Sequence, residues 1–124
     1  MTLFDFLQVQ DYKMQKLLVK PSVVVVQPTG DINASNANAL QQQLEKAVSS
    51  QPNPFVLVDM SHVTSLDSAG LMSLVAAMNL AQEKDLGFGL CALPPSIRIV
   101  LEVTQLDQVF QVFADRIACE ATLS

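Results

Sequence analysis

Residues 59–71 read Asp-Met-Ser-His-Val-Thr-Ser-Leu-Asp-Ser-Ala-Gly-Leu and concentrate hydroxyls, carboxylates and the chain's single histidine. They follow a fully apolar run, Phe55-Val56-Leu57-Val58, and lead into a helical pattern that begins at Leu71. An acidic, hydroxylated loop, Ser61 to Gly70, is therefore expected between a buried strand and a helix N-terminus. A hydroxyl in that place is exposed, and the helix end favours negative charge on it. That chemistry suits a serine that is phosphorylated and dephosphorylated, and Ser68 is the candidate.

Other chemistries fit the same residues less well. A serine hydrolase needs a base and an orienting acid beside its nucleophile. Here the one histidine is His62, a few residues before Ser68, and the pattern G-x-S-x-G is absent. No enzyme activity is expected. Asp59, His62 and Asp67 are close in sequence, but their spacing matches no ligand motif, so no metal is expected. There is no Walker loop and no GxGxxG, and Gly87-x-Gly89 reads as part of a strand, so no cofactor is expected. The plain alternative for Ser68 is a helix N-cap, a task Asp67 can do equally well. Met60, Met72 and Met78 read as core or near-surface filler.

The elements that would hold this loop can be read along the chain. Its 124 residues suffice for one domain, and half are hydrophobic, so a core is expected. The net charge of −5 argues against a nucleic-acid surface. The apolar runs are too short to span a bilayer, so no membrane insertion is expected. The acidic start, Met1 to Asp11, has no basic n-region, which reads as a cytoplasmic protein. Cys91 and Cys119 have no CxxC or histidine partner and read as buried, reduced thiols.

Residues 1–12 are ambiguous between helix and edge strand; Leu3, Phe4, Phe6, Leu7 and Val9 are their apolar positions. Leu17-Leu18-Val19 and Val23-Val24-Val25-Val26 flank Lys20-Pro21-Ser22 and read as an antiparallel hairpin. Pro28-Thr29-Gly30-Asp31 stops the second strand. A helix is expected from about Ser35 to Ser49, capped by Asn33 or Ser35, with Ala37, Leu40, Leu44, Ala47 and Val48 on its buried face. Pro52 and Pro54 end it. Residues 55–59 do not alternate, so both faces of that strand should be covered. A second helix runs from Ser68 or Ala69 to Lys84 on a stripe of Leu71, Leu74, Val75, Met78 and Ala81. A strand over 87–92, a helix started by Pro94-Pro95-Ser96, a short strand over 109–113 and a final helix from Ala114 complete the order. Two strand–helix–strand crossovers imply an α/β fold whose sheet has a parallel portion.

The run from Val56 to Leu71 resembles the signature of STAS domains, and most closely that of the anti-sigma factor antagonists. Thr29-Gly30-Asp31-Ile32-Asn33-Ala34 is similar to that family's Gly-acidic-apolar turn before its first helix. The resemblance covers about residues 16–120. It implies a mixed four- to five-stranded sheet with about four helices packed mainly on one face, a domain over 16–122, and an N-terminal extension over 1–15. By position it implies that Ser68 is the phosphorylated serine and that Asp31, Asn33, Ser65, Asp67, Ala69 and Gly70 face the partner. The partners it implies are an anti-sigma factor serine kinase of the histidine-kinase-like ATPase fold and a PP2C-type phosphatase; a homodimer is compatible. Ala69 stands where the family often has a second serine, and Gln105 where many members have glycine. The rival reading of the same resemblance is an unmodified structural subunit of a signalling scaffold or lipid-transport complex.

Overall fold

The computed structural model describes residues 21–123. Four strands, β1 (Ser22–Val26), β3 (Pro54–Asp59), β5 (Gly87–Cys91) and β6 (Gln111–Phe113), form one sheet in the order β1-β3-β5-β6. Every neighbouring pair in it is parallel, with Val24 opposite Val56 and Val56 opposite Phe88. The antiparallel partner expected at Leu17–Val19 lies outside the described residues. A second, two-stranded parallel sheet pairs β2 (Gly30–Ile32) with β4 (Val63–Leu66). Both are additions to the elements expected from sequence, which had a turn at 28–31 and a loop from Ser61 to Gly70.

Helices α1 (Ala37–Val48) and α2 (Ser68–Glu83) pack on each other and on one face of the large sheet. On α1 the buried residues are Ala37, Leu40, Leu44, Ala47 and Val48, as the periodicity requires. The cap differs from expectation: Asn36 is the N-cap, and it makes no side-chain cap bond. Its amide is engaged elsewhere, donating to the Asp31 carbonyl at 2.7 Å and accepting from the Asn33 N–H at 2.9 Å. Helix α2 buries Leu71, Leu74, Ala77, Met78 and Ala81, with Val75 half-buried. Ser73 is buried too, and its hydroxyl donates to the Gly70 carbonyl, which removes the cost of an unpaired polar group.

The central strand β3 is buried at all its positions, so its faces point into two cores. Val56 and Val58 join the larger core with α1, α2, Leu90 and Ile97. Phe55 and Leu57 face the other way, with Cys91, Phe113 and Cys119. The Phe55 and Phe113 rings meet edge-on at 5.9 Å. This second core is capped by the C-terminal helix α4 (Arg116–Leu123), whose buried residue is Cys119. Helix α3 (Pro95–Val103) starts on Pro95 at its first turn and buries Ile97 and Leu101 against β4. Gln105 adopts a positive φ of 61° just after it, where the chain turns into a short 3-10 segment, Leu106–Gln108. Residue 105 thus keeps the left-handed conformation in which glycine would be at ease.

Candidate functional site

The chemistry-bearing residues collect where β2, β4 and the first turn of α2 meet. The β2–β4 pairing is irregular: Gly30 lies opposite Val63, but Asp31 lies opposite Ser65, so the register shifts across Thr64. Such a bulge turns two successive residues to the same side. Thr64 and Ser65 are both exposed, and both hydroxyls donate to the same Asp31 oxygen, Oδ1, at 2.7 Å. These two bonds, Thr64's first, hold the Asp31 carboxyl below the usual carboxylate range. Gly30 has a φ of +75°, which an L side chain adopts only with strain, and its N–H donates to the His62 carbonyl at 2.9 Å. β2 is thereby pinned to the turn that precedes β4.

Helix α2 begins immediately beyond. Asp67 is its N-cap, and its Oδ1 accepts from the Gly70 N–H at 3.0 Å. The Asp67 N–H donates to the Ile32 carbonyl at 3.1 Å, which ties the cap to β2. Capping therefore falls to Asp67, and Ser68 is left as the first helical residue. Ser68 is exposed, and among the described residues its hydroxyl has no hydrogen-bond partner. The neighbouring hydroxyls are all engaged: Ser61 with His62 Nδ1, Thr64 and Ser65 with Asp31, and Ser73 with a backbone carbonyl. One serine of the segment thus presents a free hydroxyl on a helix N-terminus.

The structure brings together the residues expected at the site. Asp31 and Ser65 pair across the small sheet. Asn33 follows β2 and folds back on itself, its Oδ1 accepting from the Ser35 backbone N–H at 2.9 Å. Ala69 is half-buried beside Ser68. Gly70 is buried, and its position is set by close approach: a Cβ there would lie 2.7 Å from both Ile32 Cγ2 and Leu66 Cδ1. Its part is to let α2 sit tight against β2 and β4. Three residues not singled out by sequence also shape the site. Thr64 shares Asp31, Asn36 braces the Asp31 carbonyl, and Thr29 lines a shallow pocket of about 190 Å³ with Ile32 and Leu40 beside them. Thr64 was hidden because a bulge has no sequence period.

Beneath the loop lies a second polar cluster. Asp59 ends β3 nearly buried, at 6% exposure. Its Oδ2 accepts from Arg116 Nε at 2.9 Å and from Gln27 Nε2 at 3.2 Å, and its Oδ1 accepts from the Ser61 N–H at 3.0 Å. Burial pushes this carboxyl up, but the Ser61 and Arg116 contacts outweigh it and the net shift is downward. His62 joins the same cluster through Gln27 and Ser61. Asp59 thus fixes the turn from which β4 and the Ser68 loop hang. Among the described residues, no group of three or more His, Cys, Asp or Glu side chains converges as a metal ion would require.

These features define an α/β domain with an exposed serine at a helix N-terminus. The STAS domain model matches residues 15–117, and the chain belongs to the STAS domain family. An anti-sigma factor antagonist from Mycobacterium paratuberculosis is 30% identical, covers 82% of this chain and 85% of its own, and superposes with a TM-score of 0.68. A candidate anti-sigma factor antagonist from Thermotoga maritima is similar in fold, at 20% identity and a TM-score of 0.75 over 82% of this chain and 86% of that one. A sulfate transporter family protein from Wolinella succinogenes shares the fold as well, at 16% identity and a TM-score of 0.71 over 85% and 88% of the two chains.

Proposed function

We propose that the protein is an anti-sigma factor antagonist whose binding is switched by phosphorylation of Ser68. One observation carries this reading. Among the hydroxyls from Ser61 to Ser73, that of Ser68 alone is both exposed and unengaged among the described residues, and it stands at the N-terminus of α2. Likeness to an antagonist at 30% identity over most of both chains supports it. In this reading the unphosphorylated protein binds an anti-sigma factor that is itself a serine kinase of the histidine-kinase-like fold, and so releases that kinase's target. A PP2C-type phosphatase restores the unphosphorylated form. The chain acts as substrate and ligand and catalyses nothing, in the cytoplasm.

The mechanism is electrostatic. A phosphate on Ser68 adds about −1.5 to −2 charge beside Asp67. The α2 N-terminus offsets only ~0.3–1 kcal/mol of that. The fold need not move, because Ser68 supports nothing: the cap is Asp67, and the packing under it comes from Gly70, Ile32 and Leu66. A docked partner is affected far more, since a dianion buried against a surface shaped for a neutral hydroxyl costs several kcal/mol. At ~1.4 kcal/mol per tenfold, that weakens binding by more than about a hundredfold. The modification thus switches affinity and leaves shape alone.

The test uses ATP and an extract of the native cells. Wild-type protein should take up phosphate at Ser68, and Ser68→Ala should take up none. Equal labelling of both, at another residue, would overturn the reading.

A further inference from the structure

We propose that the shallow pocket beside β2 and the first turns of α1 receives one large apolar side chain of the protein that docks on Ser68, an inference that rests on Ser68 being the docking point. The pocket has a volume of about 190 Å³. Ile32 and Leu40 are its buried members, while Thr29, Asn36, Ala39 and Gln43 line it and are exposed. None of its lining residues is charged. Pockets for drug-sized small molecules run to ~300–1,000 Å³, and a cavity of ~150 Å³ holds benzene. The volume therefore suits a single side chain of the size of Leu, Met or Phe and is too small for a cofactor. A charged group set against Ile32 and Leu40 would lose its hydration and find no counter-charge, so the occupant is apolar. The Thr29 hydroxyl and the Gln43 amide make no hydrogen bond among the described residues. They are placed to meet the backbone that carries such a side chain, as polar groups do around an apolar interface core.

Two residues of the pocket also build the Ser68 site. The Ile32 carbonyl accepts the Asp67 N–H at 3.1 Å, and Ile32 Cγ2 is the atom against which Gly70 makes its close approach. The Asn36 amide donates to the Asp31 carbonyl at 2.7 Å. The pocket and the start of α2 thus share β2 as a common wall, and a protein seated on Ser68 borders the pocket. An interface of ordinary size covers ~800 Å² on each partner, far more than one serine and its neighbours. Most of the binding in such an interface comes from a few apolar anchors buried in pockets. Ser68 offers a small hydroxyl and cannot be such an anchor point. On this assignment the pocket supplies affinity and Ser68 supplies the switch.

Filling the pocket from its own walls tests this. Ala39→Phe and Gln43→Phe each bring a ring to it from an exposed position on α1. Gln42→Phe, exposed on the same helix but outside the pocket, is the control. Circular dichroism and urea unfolding identify the variants that fold as wild type does. The full chain is then incubated with ATP and an extract of the native cells, at concentrations well below saturation, and the initial rate of phosphate uptake at Ser68 is measured. Each folded pocket variant should be labelled about tenfold or more slowly, as loss of an anchor predicts, and the control within about twofold of wild type. A folded pocket variant labelled at the wild-type rate would overturn the proposal and leave Ser68 as the switch. So would an equal loss in the control. Wild-type protein that takes up no phosphate at Ser68 would overturn the switch and this proposal with it.

Discussion

Gly70→Ala tests the geometry of the site most sharply, because two effects of opposite sign meet there. In a helix, alanine is favoured over glycine by ~0.5–1 kcal/mol. Against that, the added methyl would lie 2.7 Å from Ile32 Cγ2, 2.7 Å from Leu66 Cδ1 and 3.0 Å from the Ile32 carbonyl oxygen. Ordinary contact begins near 3.4 Å, so the new methyl lies about 0.7 Å too close to two side chains at once. Leu66 Cδ1 is the end of a side chain and can turn aside. The Ile32 carbonyl cannot, since it accepts the Asp67 N–H that anchors the cap. Overpacking of this kind costs ~1–3 kcal/mol. The net expectation is a loss of about 1–2 kcal/mol, or roughly 4–8 °C in Tm for a domain of this size. Urea unfolding followed by circular dichroism measures it, with the slope of the transition unchanged. The backbone resonances of Asp31 to Asn33 and of Asp67 to Leu71 should move together. A variant as stable as wild type, or more so, would mean that α2 does not sit against β2 as described.

Three further outcomes follow from the same contacts. Asp67→Ala removes the α2 cap and should cost about 1 kcal/mol in unfolding experiments, while Ser68→Ala, which removes no bond, should cost only a few tenths. Asp59→Asn should destabilise by ~1.5–3 kcal/mol at neutral pH through its lost charged hydrogen bonds. The carboxyl of Asp59 titrates below its ordinary value in the fold, so its contribution is complete above the ordinary carboxylate range and disappears as pH falls through the lowered value. Unfolding curves of wild type and variant should therefore converge in acid, and a constant gap would contradict the Arg116 and Ser61 contacts. Burial pushes the Cys91 thiol up to about 11, and Cys119 upward as well. The stability they contribute is full below the ordinary thiol range and is lost as pH rises toward about 11, and a thiol reagent at neutral pH should react far more slowly with folded than with unfolded protein.

Much of this architecture was legible because it rests on periodicity. The spacing of Leu40, Leu44 and Ala47 on α1, and of Leu71, Leu74 and Met78 on α2, follows from 3.6 residues per turn, and the unbroken apolar run of β3 follows from cover on both faces. The position of Ser68 at the start of α2 was legible from its neighbours, since the end of a strand and the start of a helix are local features. The small β2–β4 sheet was not. Its strands are three and four residues long, and the bulge at Thr64 leaves Val63 and Leu66 buried around two exposed residues, a pattern with no period of two. For the same reason the joint hold of Thr64 and Ser65 on Asp31 could not be read beforehand. The cap of α1 was misplaced because Asn33, Ser35 and Asn36 are all good capping residues, and tertiary bonds to Asp31 decide among them. Asp59 and Arg116 are far apart in sequence, and only the fold places α4 over the end of β3.

The central claim is that Ser68 carries the switch. The most direct measurement is the intact mass of the protein purified from its native cells under several growth conditions, with fragmentation to locate any added group. A phosphorylated fraction, confined to Ser68 and changing with condition, is what the account predicts. Protein that stays unmodified in every condition, or is phosphorylated only elsewhere, would contradict it.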